Sequence, residues 1–226
     1  MPKVDESYKI DKRQQIIKAA VSVCGAKPIY EVTMRDVIVA AGVSQGGVYR
    51  YFADIDDVLV AVVNTMHTEA DYRAQVDALI QKSSSPQDAL RGMFAFLGDY
   101  MATCPAIVGK FQFELKQLFA NHPERWEKIM PRIAQQQSGQ HLMEQISRTV
   151  LEGVQRGHFH PTVPVETLFA LIGATIDGIV ENLTLQNYYG ALHARQAKIN
   201  PVALLNALAE AVIRLLTQRQ KGGNEE

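Results

Sequence analysis

The sequence predicts an all-α protein of about nine helices: three short helices at the N-terminus, a long fourth helix, and an all-helical body. Apolar residues recur at spacings of three and four along almost the whole chain, and no segment alternates apolar and polar residues as a strand would. Helix-ending and helix-capping residues, such as Gly42, Pro105 and Asn200, separate the periodic segments. Because 47% of the residues are hydrophobic and 21% are charged, the composition is that of a soluble globular protein.

Four helices are predicted in the first third of the chain. Thr33 and Asp36 form a capping-box pattern at the start of the second helix, and Gly42 ends that helix. Ser44 can cap a very short third helix, and Asp54 can cap the long fourth one. The predicted bounds are about 12–24, 33–42, 44–51 and 54–83.

Five more helices are predicted in the rest of the chain. Ser85 and Pro86, Pro164, and Asn200 with Pro201 mark three of the starts. The predicted bounds are about 85–104, 107–121, 124–156 with a kink at Pro131, 164–187 and 201–219. We expect residues 220–226 to be a disordered polar tail.

Several classes of protein are disfavoured by the composition. Two cysteines, Cys24 and Cys104, are too few for a disulfide framework and form no CxxC zinc motif, so we expect no zinc site. We also expect no other metal and no cofactor. The N-terminus has no apolar signal segment. The uncharged stretch 167–176 of the most apolar segment is too short to cross a bilayer. We therefore expect a cytoplasmic protein.

The charges are distributed unevenly along the chain. Residues 1–52 carry eight basic and five acidic side chains, a net charge of +3, and the remainder carries 15 basic and 19 acidic ones, a net charge of −4. A basic N-terminal segment is typical of a head that binds a polyanion. An ordinary solvated surface explains so small an excess about as well.

The second and third helices have the arrangement of a helix-turn-helix. Only Gly42 and Val43 separate them, which requires a sharp corner. On the third helix Val48 and Phe52 are one turn apart and are expected to face inward. Gln45 and Tyr49 are also one turn apart, as are Gly46 and Arg50, and these residues are expected to face the opposite way.

That opposite side has the residue types of a DNA-reading surface. Tyr49 and Tyr51 can donate hydroxyls to phosphates, and Gln45 and Arg50 can reach base edges in the major groove. Gly46 and its neighbour Gly47 each cost about 1 kcal/mol of helix stability relative to alanine, which makes sense if a second backbone must come close.

Residues 33–37 (TMRDV) and 41–52 (AGVSQGGVYRYF) closely resemble the TetR family of bacterial repressors. The resemblance of the motif covers about residues 12–63, and the body resembles the family in architecture only. It implies a head that binds operator DNA as a two-fold dimer, a small molecule in the body that changes the spacing of the heads, and two last helices that pair with their mates.

The resemblance assigns roles to individual residues. Thr33 matches a phosphate contact, and Arg35 matches a residue that reaches bases or backbone. Ser44 begins the recognition helix. The predicted DNA-binding residues are Thr33, Arg35, Ser44, Gln45, Gly46, Gly47, Tyr49, Arg50 and Tyr51. The sequence departs from the family at Ile55, where a phosphate-binding lysine is usual, and at Pro28, where glycine is usual.

The body is predicted to hold the effector and to form the dimer. Large adaptable apolar residues in its middle could line a pocket, although for any single residue an ordinary core position is the better explanation. The predicted effector-binding residues are Phe94, Met101, Phe111, Trp126 and His141. We expect a homodimer through residues of about 164–187 and 201–219, because both segments carry continuous apolar stripes.

The sequence therefore predicts a DNA-binding domain at 1–53, a ligand-binding and dimerisation domain at 54–219, and a tail at 220–226. The predicted function is that of a transcriptional repressor, without catalysis, that an effector releases from operator DNA. The alternative is an all-helical small-molecule-binding protein or enzyme without DNA binding. An enzyme or metal carrier of this kind would need inward-facing Glu-x-x-His repeats, which the sequence lacks.

Overall fold

The computed structural model describes residues 6–69, 71–103, 107–133, 137–190 and 198–217, and this part of the chain is all-α, as predicted. The described helices are α1 (Glu6–Ala26), α2 (Met34–Ala41), α3 (Gln45–Tyr49), α4 (Ile55–Glu69), α5 (Arg73–Lys82), α6 (Pro86–Thr103), α7 (Ile107–Asn121), α8 (Pro123–Ile129), α9 (Gln137–Gln155), α10 (Val165–Tyr188) and α11 (Pro201–Thr217). Short 3₁₀ turns lie at Ile29–Glu31 and Met130–Arg132. Cys104 and the predicted tail lie outside the described residues.

The prediction of one long helix over 54–83 is wrong, because α4 ends at Glu69 and α5 begins at Arg73. Between them the buried Tyr72 adopts a non-helical backbone conformation, with φ −121° and ψ 18°. Its backbone N–H donates to Ser138 Oγ at 3.1 Å, across 66 residues of sequence. A distant contact therefore holds the chain at the point where the helical conformation is interrupted.

The prediction of a kinked helix over 124–156 is also wrong. α8 ends at Ile129, and the chain passes through the 3₁₀ turn to Ile133, which is extended with ψ 121°. Pro131 has no N–H to donate and its ring crowds the preceding turn, so the helix is interrupted rather than bent. Gly157, with φ +73°, follows α9, where the sequence predicts its end.

The helices pack into two compact units. The first comprises Met1–Ala70 with Ile107–Gln135, and the second comprises Asp71–Ala106 with Gln136–Glu226. In the first unit, apolar side chains of α7 join the buried core of α1–α4, among them Phe111 and Leu118. The unit that contains the helix-turn-helix is therefore completed by helices from the middle of the chain.

The second unit is built from α5, α6, α9, α10 and α11 around an apolar core. α6 and α11 approach closely at Gly98, where a Cβ atom would lie 2.9 Å from the Cα of Val202. At the C-terminal end of α11, the carbonyls of Leu215 and Leu216 accept hydrogen bonds from the backbone N–H groups of Thr162 and His160. The connection before α10 thus satisfies carbonyls that have no partner within the helix.

α10 is long and apolar enough to span a membrane by length and composition, and 22% of its most apolar window is buried inside the structure. Glu166, Asp177 and Glu181 lie exposed along it. The core helix of a soluble protein passes the same test of length and composition.

Candidate nucleic-acid interface

The N-terminus of α2 is held by a complete capping box. Thr33 Oγ accepts from the Asp36 N–H at 3.3 Å, and Asp36 Oδ2 accepts from the Thr33 N–H at 2.8 Å. Lys27 Nζ donates to the same carboxylate at 2.6 Å. The Lys27 hydrogen bond, followed by those from Thr33, lowers the pKa of Asp36 to about 2. The capping box thus fixes the start of α2. Thr33 is exposed at this helix end, as a phosphate contact requires.

The corner between α2 and α3 has the predicted geometry. Gly42 has φ +61°, a left-handed conformation in which a side chain is strained, and its N–H donates to the Val39 carbonyl at 3.3 Å. Ser44 Oγ accepts from the Gly47 N–H at 3.2 Å and caps α3. The turn therefore ends one helix and starts the next within three residues.

α3 separates an inward from an outward side. Val48 and, just after the helix, Phe52 are buried in the core of the first unit. Gln45, Tyr49 and Arg50 are exposed, with Tyr49 at 46%. On α2, Arg35 is exposed as well. Short polar and aromatic side chains on a capped helix match what entry into a major groove requires.

Three other predicted contacts differ in their surroundings. A Cβ atom on Gly46 would meet nothing within 4 Å, so this position is open to an approaching backbone. A Cβ atom on Gly47 would lie 2.7 Å from Val43 Cγ1, so the packing of the turn itself requires this glycine. Tyr51 is half-buried and lines an open cleft rather than the outer face of α3.

A buried ion pair on α7 holds the corner between α1 and α2. Lys110 Nζ donates to the carbonyls of Cys24 and Lys27 at 2.7 and 2.9 Å, and to Glu114 Oε2 at 2.7 Å. The same carboxylate oxygen accepts from the Ile29 N–H at 2.8 Å. The ammonium therefore satisfies carbonyls at the end of α1, and the carboxylate satisfies an amide of the following turn. Sequence reasoning missed the role of this pair. The i,i+4 spacing of Lys110 and Glu114 is a local signal for an ion pair, but their contacts with the corner span more than 80 residues.

Residues 16–62 match the sequence model of the bacterial regulatory proteins of the tetR family. In this segment the chain is similar to the tetR family. The match covers α2, the corner and α3, so the chain is a DNA-binding transcription regulator with its helix-turn-helix where the sequence predicts it.

Two bacterial regulators are similar to this chain well beyond residues 16–62. The chain is 27% identical over 185 residues to the HTH-type transcriptional regulator YfiR of Bacillus subtilis, covering 80% of this chain and 84% of that protein. It is 24% identical over 168 residues to the HTH-type transcriptional repressor KstR2 of Mycobacterium tuberculosis, covering 73% and 77%.

Solved structures share the whole fold. FadR from Bacillus subtilis, in complex with stearoyl-CoA, aligns with a TM-score of 0.60 and 20% identity over 88% of this chain and 97% of that one. The structure of KstR2 of Mycobacterium tuberculosis aligns with a TM-score of 0.58 and 16% identity over 92% and 95%. At this identity the likeness establishes the fold alone.

The structure shows the surroundings of the two residues, Ile55 and Pro28, at which the sequence departs from the usual TetR-family pattern. Ile55, where the family usually has lysine, is half-buried and packs against the core of the first unit. Pro28 lies between the Lys27 carbonyl, which Lys110 holds, and the Ile29 N–H, which Glu114 holds. The buried ion pair therefore shapes the corner at which the family usually has glycine.

The first turn of α4 carries an ion-pair network that sequence reasoning also missed. Asp54 caps the helix by accepting from the Asp57 N–H at 3.0 Å. Asp54, Asp56 and Asp57 pair with basic side chains of α8 and the following turn, namely Arg125, Lys128 and Arg132. The charges of the segments are a usable signal: residues 53–70 carry four acidic and no basic side chains, whereas 107–135 carry five basic and three acidic ones.

The predicted effector-binding residues are divided between the units. In the second unit Phe94 is fully buried, Met101 is half-buried, and His141 Nε2 lies 2.7 Å from Asp77 Oδ1. Phe111 is buried in the core of the first unit. Trp126 is 49% exposed and meets Phe119 edge to face. Their role in effector binding stays a prediction.

Proposed function

We propose that this chain is a cytoplasmic homodimeric repressor, without catalytic activity, that places α3 in the major groove of a two-fold operator and leaves it when an effector binds. The outward side of α3 carries the proposal: Gln45, Tyr49 and Arg50 are exposed on a helix whose other side is buried. Gln45 and Arg50 would read base edges, and Thr33 and Tyr49 would hold phosphates.

Gly46→Ala tests the placement of α3 with little disturbance of the fold. Because an added Cβ meets nothing in the protein, the free variant should be as stable as wild type or up to about 1 kcal/mol more stable. It should nonetheless bind operator more weakly, because the methyl group occupies the space that the DNA needs. The measurement is a shift assay on the DNA upstream of the chain's own gene, beside thermal unfolding of the free protein.

Gln45→Ala and Arg50→Ala complete this test. Each should relax base preference, at about 1–3 kcal/mol per lost base contact. If all three α3 variants bind operator like wild type, α3 is not the DNA-reading element.

The dimer is proposed to form through α10 and α11. Leu171 on α10 is 42% exposed and Leu204 on α11 is 41% exposed, which is a liability on a monomer. On α10 a Cβ atom on Gly173 or Gly178 would meet nothing within 4 Å, so a second backbone can approach there. A two-fold dimer would let two short recognition helices read two half-sites.

Leu204→Glu is the appropriate test of this interface. Leu208, on the same helix, is only 7% exposed and belongs to the core of the subunit, so a charge there would unfold it. Leu204→Glu should instead give folded monomers that lose operator binding. Sedimentation at micromolar concentration is the measurement, and a monomeric wild-type protein would contradict the proposal.

The effector is proposed to be a small molecule with a large apolar part, bound by the second unit. Support comes from FadR of Bacillus subtilis, which shares the fold and was solved with stearoyl-CoA. Phe94, Met101 and His141 are the candidates for contact in that unit. Stearoyl-CoA is the probe: release of the operator in a shift assay supports this class of effector, and an unchanged complex at saturating probe contradicts it.

A further inference from the structure

We propose that Lys128, together with Arg125 and Arg132, neutralises the acidic first turn of α4 and thereby permits the neighbouring recognition helix to approach DNA. The inference rests on the proposed binding of operator by α3. It assigns a role in DNA binding to a segment more than 70 residues beyond the helix-turn-helix.

The acidic turn lies next to the proposed DNA-reading surface. Asp54 follows Arg50 by four residues, so their Cα atoms are at most about 15 Å apart. On the other side of the network, Arg132 and Tyr51 line the same open cleft, which has a volume of about 730 Å³. Charges on this turn are therefore within about one to two Debye lengths of a duplex bound to α3.

Each carboxylate of the turn has a basic partner. Lys128 Nζ donates to Asp54 Oδ2 at 2.7 Å and to Asp56 Oδ2 at 3.0 Å. Arg125 Nε donates to Asp56 Oδ1 at 3.1 Å, and Arg132 pairs with Asp57. Three negative charges meet three positive ones, so the network presents little net charge.

Lys128 and Asp54 form the most exposed pair of the network. Their side chains are 48% and 44% exposed, whereas Asp57, the partner of Arg132, is 23% exposed and Asp56 is 11% exposed. Burial of Asp54 opposes its ionisation, but hydrogen bonds from Lys128 and the Asp57 backbone outweigh that effect and hold its pKa below the usual value. The carboxylate is thus charged at neutral pH, and without Lys128 it would repel phosphates.

Neutralisation explains this arrangement better than a direct phosphate contact. Two hydrogen bonds of the Lys128 ammonium go to carboxylates, so a phosphate would compete with both of them. A lysine serving DNA directly would be expected to extend freely into solvent.

Two single variants and one double variant, which differ in charge, test the proposal. Lys128→Met should weaken operator binding about three- to tenfold at low salt, and the difference should shrink as salt rises to several hundred millimolar. Asp54→Asn should strengthen binding, because it removes a negative charge that would face the phosphates. Asparagine can still cap α4, so the helix should keep its start. The double variant Asp54→Asn/Lys128→Met, which has the wild-type charge, should bind like wild type although the contact is gone.

Arg73 and Asp71 provide a matched control in the second unit, off the proposed dimer helices α10 and α11. Their side chains are 44% and 45% exposed and pair at 2.6 Å, so Arg73→Met makes the same change of charge in a similar solvent environment. Arg73→Met should leave operator affinity within about twofold of wild type.

The outcomes are distinguishable. If Lys128→Met binds like wild type at low salt, or if the double variant is as weak as Lys128→Met, neutralisation is overturned. If Lys128→Met fails to fold by circular dichroism, Asp54→Asn alone still decides, because unchanged affinity there also overturns it. If the wild-type protein binds no operator, the proposed function itself fails.

Discussion

The two units of this chain differ in how their interiors are held together. Among the described residues the buried charged side chains, Asp56, Lys110 and Glu114, all belong to the first unit. The buried polar side chains of the second unit are the hydroxyls of Ser138 and Thr184. Both units have an apolar core, but among the described residues only the first adds buried ion pairs to it.

This difference suits different tasks. Hydrogen bonds to backbone groups define one orientation of the corner between α1 and α2, and a helix that reads bases needs such a defined orientation. An apolar interior is governed by volume and shape, and flexible side chains such as Met93 can repack around a guest. The following variants test the comparison, from the largest expected effect to the smallest.

Lys110→Met should destabilise the first unit by about 3–5 kcal/mol, because it leaves the carboxylate of Glu114 buried without its cation. Operator binding should be lost with it. Denaturant unfolding followed by circular dichroism measures the loss. The double variant Lys110→Met/Glu114→Gln removes the buried charge and should recover part of the stability, since the amide oxygen can still accept from Ile29. A loss below about 1 kcal/mol for the single variant would show that the pair does not hold the corner.

Gly98→Ala should destabilise the second unit by about 1–3 kcal/mol through overpacking alone. The new Cβ would lie 2.9 Å from the Val202 Cα, so α6 and α11 must separate. Thermal unfolding is the measurement, and the open helical position Gly46, changed to alanine, is the control without a clash. Equal stability of the two variants would argue against the close approach of the helices.

Asp36→Asn should cost about 1 kcal/mol at neutral pH, since it weakens the capping box of α2. The pKa of Asp36 is about 2, below the ordinary 3.8, so its carboxylate stabilises the folded state above the ordinary value. That stabilisation is lost as the pH falls from about 4 through the folded-state pKa of about 2. Unfolding curves of both proteins should therefore converge between about pH 4 and about pH 1, and a gap that persists at about pH 1 would implicate something other than ionisation.

The smallest expected effect concerns Cys24, whose thiol should not react with thiol reagents in the native state. Burial, the main cause, raises the pKa of its thiol to about 12, so hardly any thiolate is present at neutral pH. The rate of labelling should rise only under denaturing conditions. Rapid labelling of Cys24 in the folded protein, located by mass spectrometry, would show that the core of the first unit opens readily.

The sequence by itself determined the helix-turn-helix. Thr33 with Asp36, Gly42, and Ser44 act within three or four residues of their own positions, so composition and spacing suffice to predict them. The all-α class follows for the same reason, because helical periodicity is a local property.

The tertiary structure decided what depends on distant residues. The predicted long helix is interrupted at Tyr72, which bonds to Ser138, and α7 completes the first unit through Lys110, which reaches carbonyls more than 80 residues away. The pairing of Lys128 with Asp54 likewise spans 74 residues. Such contacts form only where folding brings separate helices together, so the pattern of each helix predicts its apolar side but not its neighbour.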